Sequence, residues 1–384
     1  MRITLQKEIR LCAIIFSKLN YNRLNQALLI RYNQNMNKAL QQIIKTVQHN
    51  CHIADARHAG DYTLCVYLLK MREMYRWEQG LDFKTALTTN DVGDWLTARE
   101  GVWDDLEAQE YKLLQIDGKS YEPFDNDLIN TLLDKKKLVY NAGLGLRCRP
   151  HFFIAELEET VEHAEYTVYI SGKEYARDMA APPAMAQGNH IFIRRESLRR
   201  VIWEILDDAF VAGLDNPLTR AMSFYNFDIN VEEALNQMAE TEIEYVIQHE
   251  IGEVKAGQIL GESWNSMTAE LAGVKVRTQA EIMLRAIRDH LADSISTLPL
   301  LLKNFNESSI HFYFGNMTAM RKYLAPSLIN AYEYWYKTKD TSQLDEYSET
   351  AQLYWTELAF DINKHYKDLS HAPLIEEIIK ERRL

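Results

Sequence analysis

The stretch Glu242–Leu260, EIEYVIQHEIGEVKAGQIL, limits the chain's folding options more than any other. Its apolar positions recur at three- and four-residue steps, so it reads as one amphipathic helix. At about 100° per residue, Ile243, Ile247 and Val254 share one line, and Glu250 falls on that same line. A carboxylate inside an apolar stripe is costly unless a metal, a proton or an arginine neutralises it. His249 and Glu253, at i and i+4, stack on the adjacent flank. Gly252, Ala256 and Gly257 are small, which lets a second helix or a ligand approach closely.

A second helix is predicted from about Thr278 to Leu298, ahead of Pro299. Its core stripe is Leu284, Ile287, Leu291, Ile295 and Leu298. His290 lies at the stripe's edge with Asp293 beside it at i+3, and Arg285 and Asp289 are expected to pair at i, i+4. Packing of the two helices would bring His249, Glu250, Glu253, His290 and Asp293 together. That set of imidazoles and carboxylates suits iron, manganese or zinc. Helical carboxylate–histidine proteins build two-metal sites from facing helices in this way. Their Glu-x-x-His pattern is replaced here by His-Glu-x-x-Glu and His-x-x-Asp. The first helix is also similar to the zinc protease motif HExxH, with Glu253 in place of the second histidine.

Three functions follow as expectations. The first is a metal-dependent helical enzyme, an oxidoreductase with an iron or manganese carboxylate–histidine site. In it the five residues are ligands, or Glu250 acts as a catalytic base. The second is a non-catalytic interaction or scaffold protein, with His249 a satisfied core histidine and Glu250 bridged to Arg277, Arg285 or Arg288. The third is a zinc hydrolase with Glu250 as base. Substrate and protein partner stay undefined. Two further clusters have ligand-type side chains: Cys51, His52, Asp55, His58, Asp61 and Cys65, and the pair Asp361 and His365. Capping, core packing and surface pairing account for both as readily. No GxGxxG follows a strand, and no GxxxxGK[ST] or GxSxG occurs, so standard dinucleotide, P-loop and nucleophile-elbow sites are excluded. Tyr245, Tyr313, Tyr323 and Trp264 are candidates for a pocket wall, although rings at helical spacing more often fill cores.

The rest of the chain sets the frame. Only 15 glycines and 8 prolines occur in 384 residues, which favours long helices over short strands and tight turns. The reading is mainly α, or α+β overall, with two helical domains and a small antiparallel β element after the boundary. The first domain spans 1–145. It has a helical face from Leu24 through Leu28, Tyr32, Met36 and Leu40 to Val47, and a break near Gly60 with Asp61 as N-cap. A helix that is apolar nearly all round follows (Leu64 to Met74). Two further helices over 91–116 and 125–139 are joined at Asp117-Gly118. Asn141–Gly145 reads as a loose boundary. The second domain, 146–384, opens with a β ribbon near 151–194, built on Phe152–Leu157, Tyr166–Ile170 and His190–Ile193. Helix resumes at Ser197, which is placed to cap it, with Gly213 placed to terminate it.

A net charge of −12 disfavours nucleic acid and anionic membrane surfaces as partners. The apolar run Leu11–Phe16 is too short for a signal sequence or a membrane span. Cys12, Cys51, Cys65 and Cys148 lack CxxC spacing, so a reducing cytoplasm is the expected location.

CHIADARHAGDYTLCVYLLKMREMYRW, RDMAAPPA, HEIGEVKAG and RDHLADSISTLP resemble segments of an uncharacterised bacterial family of two-domain proteins. The similarity covers most of the chain beyond about residue 36 and marks Met36 as an alternative start. It implies a bacterial, cytoplasmic protein of two domains, and it implies no activity.

Overall fold

The computed structural model describes residues 38–145, 149–212, 215–273 and 278–384. The helical face read over 24–36, and Cys12, Cys148, Gly213 and Arg277, lie outside the described residues.

A helix over 38–58 (α1) buries Ile43, Val47, Cys51 and Ala54 at three- and four-residue spacing. After it come α2 (Leu64–Glu78), α3 (Thr89–Leu106), a hairpin of β1 (Leu114–Ile116) and β2 (Lys119–Tyr121), and α4 (Asn126–Leu133). Next are β3 (Leu138–Leu144), β4 (Pro150–Glu162), β5 (Thr167–Arg177), β6 (Ala184–Gln187) and β7 (His190–Arg194). These five form one sheet in the order β3-β4-β5-β7-β6. β5 and β7 run parallel, and the other neighbours are antiparallel.

Strand alternation gives the sheet two apolar faces. Leu138, Tyr140 and Ala142 of β3, with Phe152 and Ile154 of β4, pack against α1 and α4. Val139, Phe153 and Ala155 cluster separately with Phe192 of β7. The sheet curls until its two edges meet: Asn141 Nδ2 of β3 lies 3.1 Å from Met185 Sδ of β6.

The second half is helical. It contains α5 (Arg195–Ala212), α6 (Pro217–Met222), α7 (Val231–Ala272) and α8 (Gln279–Ala292). A π turn over Asp293–Thr297 leads into α9 (Leu298–Asn304), followed by α10 (Glu307–Asn316), α11 (Ala319–Leu324) and α12 (Pro326–Thr338). The last two helices are α13 (Ser342–His365) and α14 (Ala372–Glu381). The Glu242–Leu260 stretch is the middle of α7. It stops at Gly261, whose φ of 74° breaks the helical path. Its apolar line packs on the sheet, where Ile243, Val246, Ile247, Ile251 and Val254 meet Val168, Ile170, Ile191 and Ile193.

Several expectations are corrected. The first half is α+β rather than helical, and its sheet is five-stranded and mixed rather than a small antiparallel ribbon. Asn141–Leu144 are strand, not a loose connection, because their hydrogen bonds are taken up by β4. Asp117-Gly118 turns a hairpin rather than joining two helices. Both residues take positive φ, 50° and 79°, as a tight hairpin turn requires. α2 is not central to its domain. Only Met71 and Met74 of its apolar side chains are buried, while Val66, Leu68 and Leu69 are exposed and Leu64 is 70% exposed. Thr63, not Asp61, precedes α2 as its N-cap residue. α5 begins at Arg195, so Ser197 lies inside it and donates to buried Glu174, Oγ to Oε1 2.7 Å. α8 ends at Ala292 rather than Leu298, and ahead of Pro299 the ladder widens to a π turn in which the Leu298 amide bonds the Asp293 carbonyl.

α7 and α8 cross closely at Gly252. A Cβ there would stand 2.2 Å from the Ala292 carbonyl oxygen, whereas a Cβ at Gly257 would meet nothing within 4 Å. Gly252→Ala is therefore expected to destabilise by about 1–3 kcal/mol through overpacking. Gly257→Ala is expected to gain about 0.5–1 kcal/mol from helix propensity. Urea unfolding of the two variants checks the contrast, and equal effects would rule out the close crossing.

Candidate active site

α7 presents Glu242, Tyr245, Val246, His249 and Glu250 along one face, the i, i+3, i+4, i+7, i+8 series of a helix stripe. This face lines a cavity of about 300 Å³. The π turn and α9 (Asp293, Thr297, Leu301), α10 (Ser309, Phe312, Tyr313) and Arg321 of α11 close it on one side, with Pro183 and Ala184 at the start of β6 on the other.

Asp293 is the junction of the cavity wall. His249 Nδ1 lies 2.7 Å from its Oδ1, and Tyr313 donates to its Oδ2 at 2.8 Å. Arg321 also donates to Oδ2 and lies 3.3 Å from the Tyr313 hydroxyl. Burial pulls the Asp293 carboxyl upward, but Arg321 and then His249 hold it well below the usual carboxylate range. Burial acts to lower His249, yet Asp293 outweighs it, with Glu253 and Glu250 adding, and raises the imidazole to about 10. His249 is thus an imidazolium at neutral pH, with its side chain 31% exposed.

Glu250 sits where the helix meets the edge of the sheet. The Ala186 amide of edge strand β6 donates to it. Burial raises its carboxyl to about 7 against the pull of His249, so it is half-ionised near neutrality. Arg288 is bridged to Glu253 instead, 2.7 Å away. Glu242 is 3% exposed and accepts from Ser309, Oγ to Oε1 2.7 Å. Among the described residues no cation faces it, and burial pushes it up to about 7.

Of the residues picked from the sequence, His249, Glu250 and Asp293 meet at the cavity. His290 does not. Its Nε2 lies 2.9 Å from the Arg321 carbonyl, and its ring stacks on Trp355 with centroids 4.7 Å apart. Burial and Arg321 lower it to about 3, so it is a neutral core histidine. Glu253 lies on the flank with its Arg288 bridge. It forms a different group with His249 and Asp289, whose ligand-type atoms lie within 4.8 Å of one another. The expected Arg285–Asp289 pair is replaced by Arg285–Glu281. Tyr245 and Tyr313 line the cavity, whereas Trp264 is core and Tyr323 is exposed beneath Arg383.

Glu242 and Arg321 are cavity residues that the sequence reading did not single out. Glu242 had a signal, since it heads the same helix stripe as His249 and Glu250. Arg321 had none, because its place beside Asp293 comes from the packing of α11 on α8.

In the other two clusters the side chains turn to separate surroundings. Cys51 is buried and donates to the Phe152 carbonyl, and Asp55 accepts the Met179 amide. His52 contacts Arg99 and Trp103, while His58 pairs with Asp61. Cys65 is exposed. Asp361 pairs with Arg382 and His365 on the surface.

Between about pH 4.5 and 7 the folded chain keeps a proton on Glu242 that the unfolded chain has released. Native stability therefore falls as the pH rises through that window. Glu242→Gln removes the titration. Relative to the native chain, the variant is expected to gain on the order of 2–3 kcal/mol between those two pH values. Denaturant unfolding at each pH measures this, and a pH-independent difference would mean that Glu242 ionises normally.

Among the described residues no helix is long and apolar enough to cross a membrane. No curated protein and no solved structure matches the chain significantly. Two family models do, and they divide where β7 ends and α5 begins. The chain belongs to the family of unknown function DUF6866, with that family's N-terminal domain over residues 42–194 and its C-terminal domain over residues 199–382.

Proposed function

We propose that the cavity is the active site of an enzyme that works on a small molecule by acid–base chemistry. Glu250 is the base and the His249 imidazolium is the acid, oriented by Asp293. One observation carries this reading: neighbouring side chains in one cavity are pushed in ways that suit opposite roles. Glu250 stands near 7, where a carboxylate can both take and release a proton, while His249 stays charged to about 10. A concave, mostly apolar site with a few converging polar groups supports the reading further. Asp293, itself held by Tyr313 and Arg321, keeps the imidazolium in place, and none of the three supplies or accepts the transferred proton. Cys51 and Cys65 are free thiols, which supports a reducing, cytoplasmic setting.

A second reading is supported by the grouping of His249, Glu253 and Asp289. These residues fit a divalent iron, manganese or zinc ion through one imidazole and two carboxylates. The ion would supply Lewis-acid or redox chemistry beside Glu250. The fit asks Glu253 to leave Arg288 and His249 to give up a proton that Asp293 favours.

Incubation with a small-metabolite extract, followed by mass spectrometry, tests the first reading. Native protein is expected to consume at least one metabolite, and Glu250→Gln to slow that turnover about 10²–10⁴-fold. Turnover equal in both proteins, or absent from both, would leave the buried charges a structural role only. Elemental analysis tests the second reading. It requires near-stoichiometric metal that is lost in the His249→Ala, Glu253→Ala double variant. Traces unchanged by the double variant would sink it.

A further inference from the structure

The end of the cavity away from Glu250 has no role in the chemistry proposed above. Glu242 and Glu250 are eight residues apart on α7, so their backbones are about 12 Å apart along the axis. At this far end a carboxylate lies almost wholly buried with one serine hydroxyl as its partner and, among the described residues, no cation. A buried carboxyl without a countercharge holds on to its proton, and an arriving cation would let it ionise. Tyr245, one turn along α7, and Phe312 of α10 are buried aromatic walls of the same cavity. Ring faces attract cations, and a carboxylate flanked by rings is suited to an ammonium group. Thr297 adds an independent observation. It lines the cavity, and its buried Oγ1 has no hydrogen-bond partner within the protein. An ammonium group has three donors, which a carboxylate and a hydroxyl can share.

We infer that the cavity binds a small primary amine, with its ammonium on Glu242 and its carbon body running past Tyr245 and Phe312 toward His249. The inference rests on the reading of this cavity as a ligand site, and it adds the class of ligand. Glu242 is the anchor, while Glu250 and His249 remain the reacting groups. Asp293 at the opposite end is already met by Arg321 and His249, so it does not compete for the ammonium.

Calorimetry and saturation-transfer NMR with n-butylamine, n-hexylamine and benzylamine test this, with 1-hexanol as the uncharged counterpart of hexylamine. At least one amine is expected to bind, and hexylamine to bind about tenfold or more tighter than hexanol. Glu242→Gln is expected to remove that preference while keeping the native circular dichroism spectrum. Glu242→Asp keeps the charge and is expected to retain part of the preference. Equal binding of amine and alcohol, unchanged amine affinity in Glu242→Gln, or no binding of any amine would overturn the inference. Metabolite turnover without amine binding overturns the amine assignment alone. Amine binding through Glu242 without turnover overturns the enzymatic reading and leaves the ligand class standing.

Discussion

One buried carboxylate, Asp293, determines how the helical half can pack. It is 2% exposed and stays ionised, so its charge must be met from several directions at once. His249 comes from α7, Tyr313 from α10 and Arg321 from α11, each within hydrogen-bond reach. The π turn that begins at Asp293 is what aims the carboxylate between them. Losing Asp293 would leave Arg321 and the His249 imidazolium without a countercharge in a low-dielectric wall, so the four elements are held in one arrangement. The cavity is the space that this arrangement leaves open.

The other half of the chain fixes the remaining wall through a second set of buried charges. Glu174 on β5 is met by Arg194 at 2.9 Å, Arg177 at 3.5 Å and Ser197 at 2.7 Å. Burial works to raise its carboxyl, but Arg194 and Arg177 keep it below its ordinary value. Arg200 of α5 reaches the Ala180 and Ala181 carbonyls in the segment leading to β6. These contacts tie the strand–helix junction to the sheet and set the path of Pro183 and Ala184. Edge strand β6 is then brought against α7, where its Ala186 amide meets Glu250. The carboxyl on the apolar line of α7 thus meets a strand-edge amide rather than Arg288, which is bridged to Glu253.

The legible parts of this protein were the ones governed by local periodicity. The 3.6-residue pattern of 242–260 gave the helix, its apolar line and the odd position of Glu250, and all three are present in α7. Dense β-former runs marked parts of β4, β5 and β7. β3 was hidden because Asn141, Gly143 and the following glycine look like loop residues. Its strand character comes from pairing with β4, a contact between separated segments. The exposed apolar face of α2 misled for a related reason, since periodicity reports which residues could be buried and not whether a partner covers them.

By itself the sequence determined the helical frame of the second half, the place of α7 in it and the chemical types available on one face of α7. Those properties follow from spacing along a single element. Only the tertiary structure decided that His249 points at Asp293, that Glu253 turns to Arg288, that His290 belongs to the core and that Glu242 shares the cavity. The physical reason is that a side chain's charge state depends on what lies across from it. Residues across from each other here are 20 to 67 positions apart in the chain, as in Asp293–Tyr313 and Glu242–Ser309.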